Sequence, residues 1–174
     1  HSLCLLAFGV GQDCAGPSAD LPVSPPGFRL TSLPDDLQWI GDPATPDLVA
    51  VPGASLWASD PSQLTEPAPV AGMRSLSLNT DVLVGSSVLS DTDADLVLAT
   101  GRYGIADGTT VAVVGGRARA VERDGFAQLV ELRDDDVVVS AYAQGLTVDE
   151  LVAIVDGLVA VDLPPGFATY VEMG

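Results

Sequence analysis

The chain contains no lysine, and its single histidine is its first residue. The first absence excludes Schiff-base chemistry, which needs a lysine amine. The second removes the base on which Ser/His/Asp and Cys/His nucleophiles depend. No apolar run approaches the roughly 18 residues of a membrane span. Nucleic-acid binding needs a basic footprint, and here seven arginines stand against 24 acids, for a formal net charge of −17. The same imbalance disfavours docking on an anionic membrane surface. Aromatic residues make up 5% of the chain, so its core must be built from Val, Leu and Ala. There is no G-x-S-x-G elbow, phosphate-binding glycine loop or dinucleotide fingerprint, and no cofactor is expected.

Cysteine is scarce too. Cys4 and Cys14 flank Gly9-Val10-Gly11, which suits a hairpin turn. A disulfide between them is expected in an oxidising compartment; the alternative is a pair of free buried thiols. Two sulfurs lack the partners that zinc needs. Leu3–Val10 is apolar but short, with no charged segment before it, and reads as a strand rather than a signal peptide. His1-Ser2 reads as an addition, which would make the chain the excised soluble portion of a longer protein.

What is present argues for a folded domain. At 174 residues and 47% hydrophobic composition, the chain can bury a core of its own as one unit, residues 1–174. Abundant Val, Ala, Gly and Pro accord with a genome rich in G and C better than with halophily. Residues 15–72 hold eleven prolines, which cut this half into pieces too short for long helices. Leu37–Ile40, Leu48–Val51 and Ser55–Ala58 read as brief strands. Arg74–Leu78, Asp81–Val84 and Leu96–Thr100 read as a second β-rich stretch. Ser24-Pro25-Pro26-Gly27-Phe28 is echoed by Leu163-Pro164-Pro165-Gly166-Phe167, too short an echo to establish a duplication.

The last third is the most legible. Thr110–Val114, Arg117–Glu122, Phe126–Leu132 and Val137–Tyr142 form a four-strand pattern punctuated by Gly115-Gly116, Asp124-Gly125 and Arg133-Asp134-Asp135-Asp136. Short turns make such strands antiparallel neighbours. Thr147-Val148-Asp149-Glu150 fits a capping box, with Leu146 and Leu151 placed for a hydrophobic staple. Leu151, Ile154, Val155 and Leu158 then fall on one helical face, and Gly157 or Pro164-Pro165 stops the helix. The expected fold is α+β: an antiparallel β-meander with one C-terminal helix packed on the sheet, after an irregular, proline-rich N-terminal half.

Three segments of this region carry a likeness: Thr110-Val-Ala-Val-Val-Gly-Gly-Arg-Ala118, Gln128-Leu-Val-Glu-Leu132 and Ala143-Gln-Gly-Leu-Thr-Val-Asp-Glu-Leu-Val-Ala-Ile154. Together they resemble the C-terminal part of extracytoplasmic domains in actinobacterial envelope proteins. The resemblance covers about the last third of the chain. It implies a location outside the cytoplasm, secreted or held by a membrane anchor that this chain does not show, as in lipoproteins or sensor domains on anti-sigma factors. Where that pattern often has Trp in the third strand, this chain has Val130. The matching motifs are turns, a cap and core positions, so no catalytic residue is implied.

Candidates for chemistry are few. Asp91, Asp93 and Asp95 are spaced like the start of a calcium loop, but Leu96 stands where glycine is needed and Arg102 where the bidentate acid belongs. They are weak metal candidates, and a solvated turn is the simpler reading. Asp134–Asp136 reads as a polar hairpin tip. Nineteen aspartates offer many general acid–base pairs and no way to choose among them. Trp39, Trp57, Tyr103 and Phe126 suit either a ligand cleft or ordinary core packing. Arg117 and Arg119 should share one strand face, facing an anionic partner or nearby acids. The expected role is non-catalytic binding of a protein, a cell-wall component or a small apolar ligand. The alternative is a hydrolase-type enzyme using paired aspartates or a calcium-assisted site. A pocket holding converging acids would favour the enzyme, and an apolar groove would favour binding.

Overall fold

A computed structural model describes residues 26–40, 45–65, 72–82, 92–133, 137–165 and 167. The expected disulfide pair, Cys4 and Cys14, lies outside the described residues, as do the expected strand Leu3–Val10, Asp91 and the Asp134–Asp136 turn.

The architecture is α+β with antiparallel sheets throughout. Ten strands are described: β1 (Pro26–Leu30), β2 (Gln38–Trp39), β3 (Leu48–Ala50), β4 (Gly53–Ala58), β5 (Ser75–Val82), β6 (Thr109–Val111), β7 (Gly116–Arg123), β8 (Phe126–Arg133), β9 (Val137–Gln144) and β10 (Leu158–Asp162). Two α-helices accompany them, α1 (Thr92–Arg102) and α2 (Val148–Asp156), with a 3-10 turn at Pro61–Thr65. Seven strands form the main sheet, in the order β2-β4-β5-β9-β8-β7-β6. Three form a small one, in the order β10-β1-β3.

The meander is there, with one change of turn. Asp124 and Gly125 take positive φ angles of 50° and 81° between paired Arg123 and Phe126. That is the two-residue turn whose twist matches its flanking strands. Gly115-Gly116, by contrast, is not a two-residue hairpin. β6 stops at Val111, Val111 pairs with Ala118, and the link between the strands is longer than two residues. Glycine is needed there for proximity: a Cβ on Gly116 would lie 2.1 Å from the Leu132 carbonyl oxygen.

Helix α2 begins as its sequence dictates. Thr147 accepts from the Glu150 amide (3.2 Å) and Glu150 Oε2 accepts from the Thr147 amide (2.8 Å), closing the capping box. Leu146 and Leu151 are both buried in the main core. Glu150 Oε1 also pairs with Arg74 (2.6 Å), which itself binds Asp36 and so ties the helix start to β5 and the segment before β2. Gly157 ends the helix.

The brief strands of the proline-rich half sit where expected, and the structure shows what they build. β1 pairs with β3 on one side and with β10, far away in sequence, on the other, while β2, β4 and β5 extend the main sheet. Ser75–Val82 is one continuous strand rather than two. Leu96–Thr100, expected as a strand, is helical: it lies inside α1. Leu96 and Ala99, one turn apart, pack on the sheet with Val130, Leu132 and Val138. Alternation along β8 therefore serves two faces. Val130 and Leu132 meet α1, while Ala127 and Leu129 join the main core with α2 and with Phe28, Leu30 and Val49 of the small sheet. The two proline-glycine echoes end up adjacent, because Pro26 pairs with Asp162 and Gly27 abuts Leu163.

Candidate functional site

The small sheet lies over one face of the main sheet, and between them opens a cleft of about 570 Å³. Its walls follow from strand register. Phe28 pairs with Ala160, so the two share the small-sheet face that looks inward, with Pro26, Gly27, Val161 and Asp162 around them. The other wall is made where main-sheet strands stop or start: Val82 ends β5, Arg133 ends β8 and Val137 begins β9. Val51, which precedes a cis bond to Pro52, and Gly115 complete it. The walls are predominantly apolar. Val82 is 40% exposed, unusually open for a valine ending a central strand.

Among the described residues two polar side chains line the cleft, Arg133 and Asp162. Arg133 is held from several sides. Its guanidinium lies 5.0 Å from the centre of the Phe28 ring, donates from Nε to Glu131 Oε2 (2.8 Å), and donates to the carbonyls of Val155 (2.5 Å) and Leu158 (3.2 Å). Those carbonyls belong to the end of α2 and the residue that starts β10, where the helix dipole favours a cation.

Glu131 stands behind Arg133, two residues back on the same face of β8. It is fully buried, at a position whose neighbours in the alternation are Ala127 and Leu129. Its Oε2 takes the arginine, and its Oε1 has no hydrogen-bond partner. A Cβ on Gly115 would come within 2.6 Å of that Oε1, so glycine is what lets the chain pass over it. The segment is tied down by Asp156, whose Oδ1 accepts from the Val114 amide (2.7 Å). Burial pushes the Glu131 carboxyl above its ordinary value; Arg133 opposes the shift and Asp156 adds to it. An unpaired buried carboxylate oxygen costs free energy while the group is charged.

The residues singled out in the sequence fall elsewhere. Asp93 and Asp95 lie in the first turn of α1, a helix and not a calcium-type loop. Among the described residues no group of three or more His, Cys, Asp or Glu side chains is placed to hold a metal. Trp57 is buried in the core with Trp39 tilted against it at 5.0 Å, and Phe126 stacks on Tyr142 at 5.6 Å. Tyr103 packs beside α1, where burial raises its hydroxyl pKa. None of the four aromatic candidates lines the cleft; Phe28 does. Arg117 and Arg119 share a face, opposite Leu132 and Val130, and Arg119 donates to the Ala106 carbonyl.

The pair at the cleft that sequence reasoning missed is the Glu131–Arg133 ion pair. Its trace was visible: one acid inside Leu129-Val130-Glu131-Leu132, a run buried on both faces of the strand. Among the described residues the one acid lining the cleft is Asp162, because the Glu131 carboxylate turns toward Arg133 and Gly115. Among the described residues the arrangement offers an apolar enclosure and one anchored cation, with no pair of acids converging on a common point. Compared with protein-family models, curated proteins and solved structures, the chain has no significant match in any of the three.

Proposed function

We propose that this domain is a non-catalytic binding module whose cleft takes a small apolar ligand. The observation that carries the reading is the cleft itself: about 570 Å³, walled by Phe28, Val51, Val82, Val137, Ala160 and Val161, with one oriented polar group in Arg133. Ligand sites are of this size and make-up, mostly apolar with a few placed polar groups. Of the partner classes the sequence leaves open, a small apolar molecule suits such an enclosure better than a protein or a wall polymer. The resemblance to envelope domains supports a working place outside the cytoplasm for a binding or sensor role.

Ala160 provides the test, because it is exposed on the inward face and its replacement fills space without touching the core. The neutral dye N-phenyl-1-naphthylamine should bind the native protein saturably. Ala160→Trp should weaken that binding about tenfold, a loss of roughly 1.4 kcal/mol, while the melting temperature stays put. A dye bound equally well by the variant would sink the assignment.

A further inference from the structure

We propose that Glu131 sets the charge of the cleft: ionised, it neutralises Arg133, and protonated, it leaves Arg133 to an anionic headgroup, so the ligand is an anionic amphiphile captured best at acidic pH. The inference rests on the cleft being a binding site and names the ligand chemistry and its regulation.

The geometry is specific. Arg133 is common to the cleft wall and to the buried ion pair, and its place over Phe28 and on the α2 carbonyls does not depend on Glu131 alone. Glu131 has one oxygen committed to Arg133 and one free of any partner. A proton from solvent can therefore settle on Oε1 while Oε2 still accepts from Nε. What is lost is the negative charge, not the hydrogen bond. Burial favours that protonation, since a lone carboxylate oxygen in an apolar surround disfavours the charged form. The cation then lacks a counter-charge, and a ligand carboxylate, sulfonate or phosphate can supply it. Two anions compete for one cation, so ligand binding and proton binding reinforce each other.

Among the described residues, few other groups bear on Glu131. β7 sets Ala118 and β9 sets Val139 beside it, and Gly115 passes over its Oε1. From α2 comes Asp156, whose charge also favours the protonated form. Asp162, on the cleft rim, is the other carboxylate among the described residues that can confound the effect.

The experiment uses two probes of one skeleton: 1-anilinonaphthalene-8-sulfonate, anionic throughout, and neutral N-phenyl-1-naphthylamine. From about pH 8 to about pH 5 the sulfonate should tighten about tenfold and the neutral probe by less than about twofold. Glu131→Gln should hold the sulfonate at its acid-pH affinity across the range, and Asp162→Asn should keep the wild-type pH dependence. Dependence that survives Glu131→Gln, vanishes in Asp162→Asn, or is shared by the neutral probe overturns the inference. Should Glu131→Gln not fold, calorimetry of the wild type in two buffers of different ionisation heat decides: proton uptake with the sulfonate supports it, and no uptake overturns it. A neutral probe that Ala160→Trp fails to displace counts against the cleft as a site. A neutral probe displaced as expected, beside a sulfonate without Glu131-dependent titration, counts against this inference alone.

Discussion

At the scale of single residues, the molecule concentrates its unusual chemistry in Glu131. Burial raises its carboxyl above the ordinary value of 4.5, so the native state holds that proton more tightly than the unfolded chain does. Between the unfolded and folded values the native state binds more protons, and stability falls as pH rises. The penalty is absent below the ordinary value and complete above the folded one. Glu131→Gln carries no such penalty. The stability of the variant minus that of the wild type, from denaturant melts at several pH values, should therefore grow from the acid side toward neutrality. A difference that stays flat would show that Glu131 does not titrate in that window. Gly115 belongs to the same feature, since any side chain there would press on Oε1.

At the scale of elements, local chemistry and tertiary context divide the credit. Thr147→Ala should cost about 1 kcal/mol, because one amide of the first turn loses its acceptor. Thr147→Ser should recover it, and equal melting curves for all three proteins would show the cap to be idle. This helix start was legible because its signals lie within six residues, Leu146 to Leu151, and so was the Asp124-Gly125 turn. Helix α1 was not. Leu96-Val-Leu-Ala-Thr100 is a short apolar run whose periodicity does not separate strand from buried helix, and only packing against Val130 and Leu132 decides it. The cleft was less legible still. Arg133 read as the first residue of a polar turn, and its partners other than Glu131, namely Phe28, Val155 and Leu158, stand far off in sequence. Register of β1 on β10 brings them together, and register between distant strands leaves little local mark.

At the scale of the whole molecule, charge dominates. A formal net charge of −17 makes the folded state repel itself. Salt shortens the reach of that repulsion from about 10 Å at 0.1 M to about 3 Å at 1 M. The melting temperature should therefore rise with sodium chloride over this range. A fall would mean that exposed ion pairs such as Arg29–Asp47 and Arg123–Asp107 outweigh the repulsion. Among the described residues no helix is long and apolar enough to cross a membrane.

The pairing of β1 with β10 also sets an order of events in time. These are the first and last described strands, and each supplies part of one cleft wall. As a chain emerges from the ribosome or a translocation channel, the meander and α2 can assemble from neighbours in sequence. Strand β1 can pair early with β3, but its pairing with β10 must wait until residue 162 has appeared, and closing so long a loop is slow relative to local pairing. The cleft is therefore the last part of the described molecule to form, and a chain cut short before β10 would keep its meander and have no place for a ligand.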